Sequence, residues 1–173
     1  MKREIDLTEA QRLAAELVAE LRALPVRNTP SERAVRRKYS QKLRRSQAEL
    51  ILALARELMA NYDERWVVYE LLQAHKAALQ SLGEAELEEF GRGINSWWTV
   101  DAFARTLAGP AWLQGQVADA LIHRWAHSPD LWWRRAALVS TVALNVRSQG
   151  GYGDVSRTLA VCRLLVAIAR TWW

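Results

Sequence analysis

Two tryptophans and an aspartate in one short stretch, INSWWTVDAF from Ile94 to Phe103, are the residues of this chain best suited to chemistry. On a helix, Trp97 and Asp101 stand four residues apart on one face, with Cβ atoms roughly 5–6 Å from one another. An aromatic face beside a carboxylate suits a positively charged ligand, or a cation that forms as a bond breaks. The same spacing also fits an aspartate near the positive end of a helix dipole with Trp97 in the core. On the pair alone, both readings stay open. A second polar group lies in LWWRRAAL, where Arg134 and Arg135 follow Trp132 and Trp133. One arginine there suits a carboxylate and one suits a phosphate gripped by both arms of the guanidinium. His123 and His127 have metal-ligand spacing along a helix, but no cysteine or acidic third ligand is evident beside them. They read as a surface pair, and no metal is expected. The chain carries no glycine-rich phosphate loop, Ser/His/Asp set or cysteine cluster, which leaves nucleotide hydrolysis and acyl transfer without support.

These residues need a scaffold, and the sequence describes it. The chain has 173 residues, enough for one domain with a sizeable core, and half of them are hydrophobic. Nearly every segment between the punctuating Gly83, Gly91, Gly109-Pro110, Ser128-Pro129 and Gly150-Gly151 has helical periodicity. Thr29-Pro30-Ser31-Glu32 reads as a threonine cap with a first-turn proline and a glutamate three residues on; Ser46-Gln47-Ala48-Glu49 reads as a second capping box. No segment reads as a strand, so the expected class is all-α. The single cysteine, Cys162, rules out an internal disulfide and reads as a buried thiol on an apolar helix. No apolar run reaches the roughly 20 residues that span a bilayer, and the charged N-terminus lacks a signal-peptide core, so a cytoplasmic protein is expected.

An internal repeat organises the helices. ARELMANYDERWVVYELL aligns with HRWAHSPDLWWRRAALV so that Asp63 meets Asp130, Trp66 meets Trp133 and Leu71 meets Leu138. EFGRGINSWWTVDAF adds a third copy, with Trp98 at the place of Trp66 and Phe103 at that of Leu71. Each copy is a helix, a turn and a second helix opening on a tryptophan, which predicts a stack of helix pairs with one tryptophan per repeat in the core. Asp101 then falls where the first copy has Tyr69, and Arg134 and Arg135 fall where it has Val67 and Val68. DVSRTLAVCRLLVAIA reads as the first helix of a fourth copy. Charge is uneven as well. From Arg27 to Arg45 there are eight basic residues against Glu32 alone, while the acids gather in the first helix and in GEAELEEF. That run suggests a face for phosphates, or a plain solvated helix.

NSWWTVDAF followed by DALIHRWAHSPDLWWRRAALVSTVALN resembles the DNA alkylation repair enzymes of the HEAT-like-repeat glycosylase superfamily. In that family a Ser-Trp segment leads to Val-Asp, and a Trp-x-x-Arg-x-Ala segment follows one helix pair later. The resemblance runs from about Leu24-Pro25 through RTLAVCRLLV. It implies a right-handed solenoid of HEAT-like antiparallel helix pairs, forming one domain over residues 1–173. It also implies hydrolysis of the N-glycosidic bond of N3- or N7-alkylated purines in duplex DNA, by a monomer without metal, small-molecule cofactor or membrane, at the nucleoid within the cytoplasm. Carried over by residue, Trp97 matches the aromatic against the lesion-side deoxyribose, Asp101 the catalytic carboxylate, and Arg135 the arginine of the DNA-facing wall. Arg134 and the basic run through Arg33, Arg36, Arg37 and Lys42 are the further expected DNA contacts. A cationic purine is already a good leaving group, so one carboxylate suffices where ordinary glycosides need two.

The chain departs from the family in two places. Trp98 stands where some members have an acid. Past RTLAVCRLLV the family continues into a helix with a Lys-Ala-x-x-Trp motif, whereas this sequence reads AIARTWW and stops. The expectation is a shortened last repeat that leaves Leu164, Leu165, Val166 and the terminal tryptophans uncovered. A non-catalytic helical-repeat module that grips DNA or protein, and an inactive shortened fragment, are the rival readings.

Overall fold

The computed structural model of the chain describes residues 7–170. Among them there is no strand, in keeping with the all-α expectation. Eleven α-helices follow in order: α1 (Leu7–Arg22), α2 (Thr29–Lys42), α3 (Ala48–Tyr62), α4 (Arg65–Ala74), α5 (Lys76–Gln80), α6 (Glu84–Gly91), α7 (Trp97–Phe103), α8 (Gly109–Leu113), α9 (Asp119–Ala126), α10 (Leu131–Asn145) and α11 (Val155–Arg170). A π-helical turn, Ala104–Ala108, joins α7 to α8, and a short 3-10 turn, Arg147–Gln149, follows α10. Among the described residues no helix is long and apolar enough to cross a membrane. The helices gather into two compact units that divide between Ser81 and Leu82.

In the first unit α1 packs on α3 and α2 on α4, while α1 also meets α2 and α3 meets α4. That is the contact pattern of two stacked helix pairs. The reason is the apolar stripe of each helix. Leu13, Leu17 and Leu21 of α1 and Ile51, Leu54 and Leu58 of α3 are all buried, and the two helices pack together. Such burial is worth roughly 1.5–3 kcal/mol per large side chain. Helix α4 buries Val67, Val68, Tyr69, Leu71 and Leu72, a broad apolar face. Buried His75 closes the unit. Its Nδ1 accepts the Ala78 N–H at 3.1 Å, so the proton sits on Nε2, which donates to the Ser46 carbonyl at 3.1 Å.

In the second unit α7, the π turn and α8 all pack on α10, which also meets α9 and α11. Phe103, Trp125 and Trp133 form an aromatic cluster with centroid separations of 4.9–6.0 Å. Gly91 lies beneath it: a Cβ there would strike the Trp133 ring and sit 3.0 Å from Phe103. Trp112 is fully buried, with its indole N–H donating to Asp119 at 2.7 Å and the Arg157 guanidinium over its ring.

Both expected capping boxes shift. Helix α2 is capped by Asn28, which exchanges bonds with Ser31 at 3.0 and 3.1 Å, and Thr29 is already helical. Asparagine caps at least as well as threonine and lies one residue closer to the preceding loop. Helix α3 starts from Gln47 without a side-chain cap, because Ser46 is drawn into a turn on the Leu43 carbonyl. Cys162 is half-buried rather than buried, on a face of α11 that also exposes Leu159 and Val166. Leu164 and Leu165 are half-buried, and Trp172 and Trp173 lie outside the described residues.

The expected repeat register holds for α4 and α7 but slips by one residue in α10. Counted from the N-caps Glu64, Ser96 and Asp130, the aligned tryptophans are Trp66, Trp98 and Trp132. The buried partners of the same register are Leu71, Phe103 and Ala137, whereas Leu138 is 42% exposed. The slip arises in the connection. Ser128 and Pro129 lengthen the turn before α10, so Asp130 caps α10 while Asp63 ends α3 in a left-handed conformation. The expected tryptophan per repeat in the core is corrected too. Trp66 and Trp133 are half-buried and Trp98 is exposed, while among the described residues Trp112 and Trp125 are the buried tryptophans.

Candidate functional site

Helix α7 begins at Trp97 because Ser96 caps it. The Ser96 Oγ accepts the Thr99 N–H at 3.3 Å, and the Thr99 Oγ1 accepts the Ser96 N–H at 3.3 Å. This reciprocal cap pins the first turn, and with it the two indoles. Both point outward: Trp97 is 60% and Trp98 54% exposed. Val100 and Phe103 take the core side of the same helix. The alternative that puts Trp97 in the core is therefore overturned, since the buried stripe of α7 begins one step round the helix.

Asp101 and Arg135 stand at one position of the repeat, the fifth after their N-caps, on helices that pack against each other. Stacked pairs bring equivalent positions side by side. The Arg135 guanidinium accordingly grips Asp101 with both arms, Nε to Oδ1 at 2.8 Å and a terminal nitrogen to Oδ2 at 2.9 Å. The fork geometry orients the carboxylate and raises the Arg135 pKa, chiefly through that hydrogen bonding. Tyr69, at the same repeat position in α4, is buried and held neutral by that burial. Only the later copies expose this place: the Asp101 side chain is 30% exposed and that of Arg135 41%.

Arg134 is engaged elsewhere. It donates to the carbonyls of Ser128 at 2.7 Å and Pro129 at 2.8 Å, fastening the turn before α10. Both bonds come from one terminal nitrogen, Nη1, of the guanidinium. Of the basic run, Arg33 and Arg36 share Glu70, Lys38 binds Glu20 and Lys42 binds Glu16. The sequence separates these charges, but α1 and α4 pack on α2 and carry the acids to it. Hydrogen bonds from Lys42 and Arg12 lower the Glu16 pKa, and one from Lys38 lowers that of Glu20. Arg37, Arg44 and Arg45 are exposed and have no ion-pair partner among the described residues. Arg33, Arg36 and Lys42 therefore start from ion pairs, and Arg37, Arg44 and Arg45 do not.

A cleft of about 620 Å³ opens elsewhere in the second unit, between α6, α9 and the turn before α10. Trp125, Trp133 and the Arg124–Glu88 ion pair line it, and neither Asp101 nor Arg135 does. His127 bonds the His123 carbonyl through Nδ1 at 2.8 Å. Among the described residues no group of three or more His, Cys, Asp or Glu could hold a metal ion. The Asp101–Arg135 pairing escaped the sequence reading because a one-residue register slip hid their equivalence. The Ser96–Thr99 cap had a signal, a serine and a threonine three residues apart before an apolar run.

A family model described as DNA alkylation repair enzyme matches residues 1–170. No curated protein and no solved structure matches the chain.

Proposed function

The chain belongs to the DNA alkylation repair enzyme family, and from that premise we propose that it is a DNA glycosylase that removes N3- or N7-alkylated purines from duplex DNA. The observation that carries this reading is the exposed row of Trp97 and Asp101 on α7, with Arg135 forked onto the carboxylate from α10. A scaffold has no use for two uncovered indoles beside a half-exposed ion pair.

The chemistry follows from the charges. As the N-glycosidic bond breaks, its electron pair leaves with the alkylated purine, which becomes neutral, and positive charge passes to the sugar. Water then adds to the anomeric carbon and gives up a proton. A carboxylate fixed near that carbon stabilises charge that exists only in the transition state, so Asp101 raises the rate more than the affinity. No second carboxylate is needed, because the leaving group arrives already activated. Trp97 supplies the apolar wall against the sugar. Arg135 holds Asp101 in register and offers its guanidinium to the DNA backbone, since a phosphate accepts the same two-armed grip as a carboxylate. Exchange between the two anions would couple DNA binding to release of Asp101 toward the sugar. Arg37, Arg44 and Arg45 supply phosphate contacts from α2 and the residues after it.

Release of methylpurine from methylated duplex DNA by the purified chain is the test. Time-dependent release that persists in a metal chelator is expected. Tight binding to the DNA without any release would instead favour the non-catalytic binding module.

A further inference from the structure

The helix that carries Asp101 is interrupted by the π turn Ala104–Ala108, between α7 and α8. Pro110 accounts for the interruption, because it has no N–H to return to the Thr106 carbonyl and its ring crowds that oxygen. Gly109 donates instead to the Ala104 carbonyl, five residues back, so this turn holds one residue more than an α turn. Gly109 also fixes the phase of the helix against α10. A Cβ there would fall 2.8 Å from the Ser140 carbonyl oxygen and 2.9 Å from the Ala143 Cβ. In an unbroken α-helix the residue four before Gly109, Arg105, would share that face. In the folded chain Ala104 takes the place, fully buried, and Arg105 is exposed. Asp101 likewise reaches Arg135 of α10 as the residue eight before Gly109, where an unbroken helix would bring Ala102. Arg105 is the residue in excess. Two side chains hold the turn: Thr106 Oγ1 donates to the Ala102 carbonyl at 2.6 Å, and Gln149 Nε2 donates to the Arg105 carbonyl at 3.2 Å. The Arg105 guanidinium has no ion-pair partner among the described residues.

We propose that Arg105 is an inserted phosphate-binding residue of this site, gripping the DNA backbone beside the nucleotide that faces Asp101. The inference rests on the glycosylase reading above. Asp101 and Arg105 stand four residues apart, so the cation extends the exposed row beyond the carboxylate. That row needs one. Asp101 and Arg135 cancel each other's charge, and without Arg105 the row offers a polyanion no net attraction. A guanidinium there takes a phosphate with both arms and carries no base preference. The π turn adds it without turning Asp101 away from Arg135, whereas one more residue in an unbroken helix would rotate the carboxylate by about 100°.

Binding of the full-length chain to a duplex with one tetrahydrofuran abasic analogue tests the contact. Arg105→Gln should lower the log–log salt slope by about 0.9, the value for one phosphate, and Arg105→Lys should keep it. Duplexes with a single neutral methylphosphonate, placed in turn at each phosphate near the abasic site, locate the partner. At one position the substitution should weaken binding by the parent and leave Arg105→Gln unaffected. An unchanged slope, or methylphosphonate effects in Arg105→Gln that match the parent at every phosphate, overturns the contact. The insertion has its own readout, the nuclear magnetic resonance signal of the Arg135 Nε–H that donates to Asp101. A chain lacking Arg105 should form an ordinary α turn, melt cooperatively and keep that signal. Loss of the signal, or a chain that no longer folds, overturns the reading of Arg105 as an inserted residue. If the slope is unchanged while the parent releases methylpurine, this inference alone falls. If the parent releases none, the glycosylase reading falls, and the salt slope still decides whether Arg105 holds a phosphate.

Discussion

Replacing Asp101 by asparagine separates catalysis from architecture at one position. The side chain keeps its shape and one oxygen to accept from Arg135, but loses its charge. Asp101 is 30% exposed and Arg135 41%, so the ion pair stands in contact with water and its contribution to folding is small. Exposed pairs contribute about 0.2–1 kcal/mol, which sets the expected loss of stability. The catalytic effect belongs to a different scale. One lost electrostatic group facing a developing charge costs roughly 10²–10³ in rate, or about 3–4 kcal/mol. The predicted outcome is therefore a fall in single-turnover purine release of roughly a hundredfold or more, with a barely altered melting curve. DNA affinity should hold or improve, because a negative charge has left the surface proposed to face phosphates. Single-turnover release from methylated duplex, binding by fluorescence anisotropy and a thermal melt measure the three quantities. Full activity in Asp101→Asn, or loss of activity only in step with unfolding, would show that the carboxylate serves the α7–α10 packing and nothing else.

Replacing Arg37, Arg44 and Arg45 together by glutamine should flatten the log–log salt dependence of DNA binding by about 2.7, the value for three phosphate contacts. The same change at Arg33, Arg36 and Lys42 should alter the slope less, since Glu70 and Glu16 already engage them; equal effects in a binding titration would contradict this division. Gly91→Ala, which elsewhere on a helix would stabilise, should destabilise by about 1–3 kcal/mol in chemical denaturation because its Cβ strikes Trp133 and Phe103. A stabilised variant would mean that the aromatic cluster yields freely. Hydrogen bonds from Arg124 and Trp125 lower the Glu88 pKa, as the partners of Glu16 and Glu20 lower theirs. A carboxylate whose folded pKa is lowered contributes stability above the ordinary carboxylate range and loses it as pH falls through the folded value. The melting temperature should thus stay level from neutral pH to about 5 and drop below about 4, and Glu88→Gln should shrink that drop.

Much of this protein is legible along the chain. Helical periodicity comes from side chains three and four residues apart, so the all-α class, the main helices and the shared face of Trp97 and Asp101 could be read locally. The family resemblance rested on contiguous motifs and needed no coordinates either. What the sequence could not supply were relations across space. Its basic run reads as a bare cationic helix, because nothing in the local text says that Glu16, Glu20 and Glu70 fold onto it. Arg134 and Arg135 are adjacent and chemically identical, yet one fastens a turn and the other grips Asp101. Their difference is the 100° step between neighbours on a helix, judged against what lies on each side. The tryptophans show the same division. Their repeat position is written in the sequence, but which of them is covered depends on the neighbouring helix, so only the folded chain distinguishes Trp98 from Trp66. Local spacing decides what shares a face; packing decides what that face meets, because burial and pairing belong to atoms brought together from distant parts of the chain.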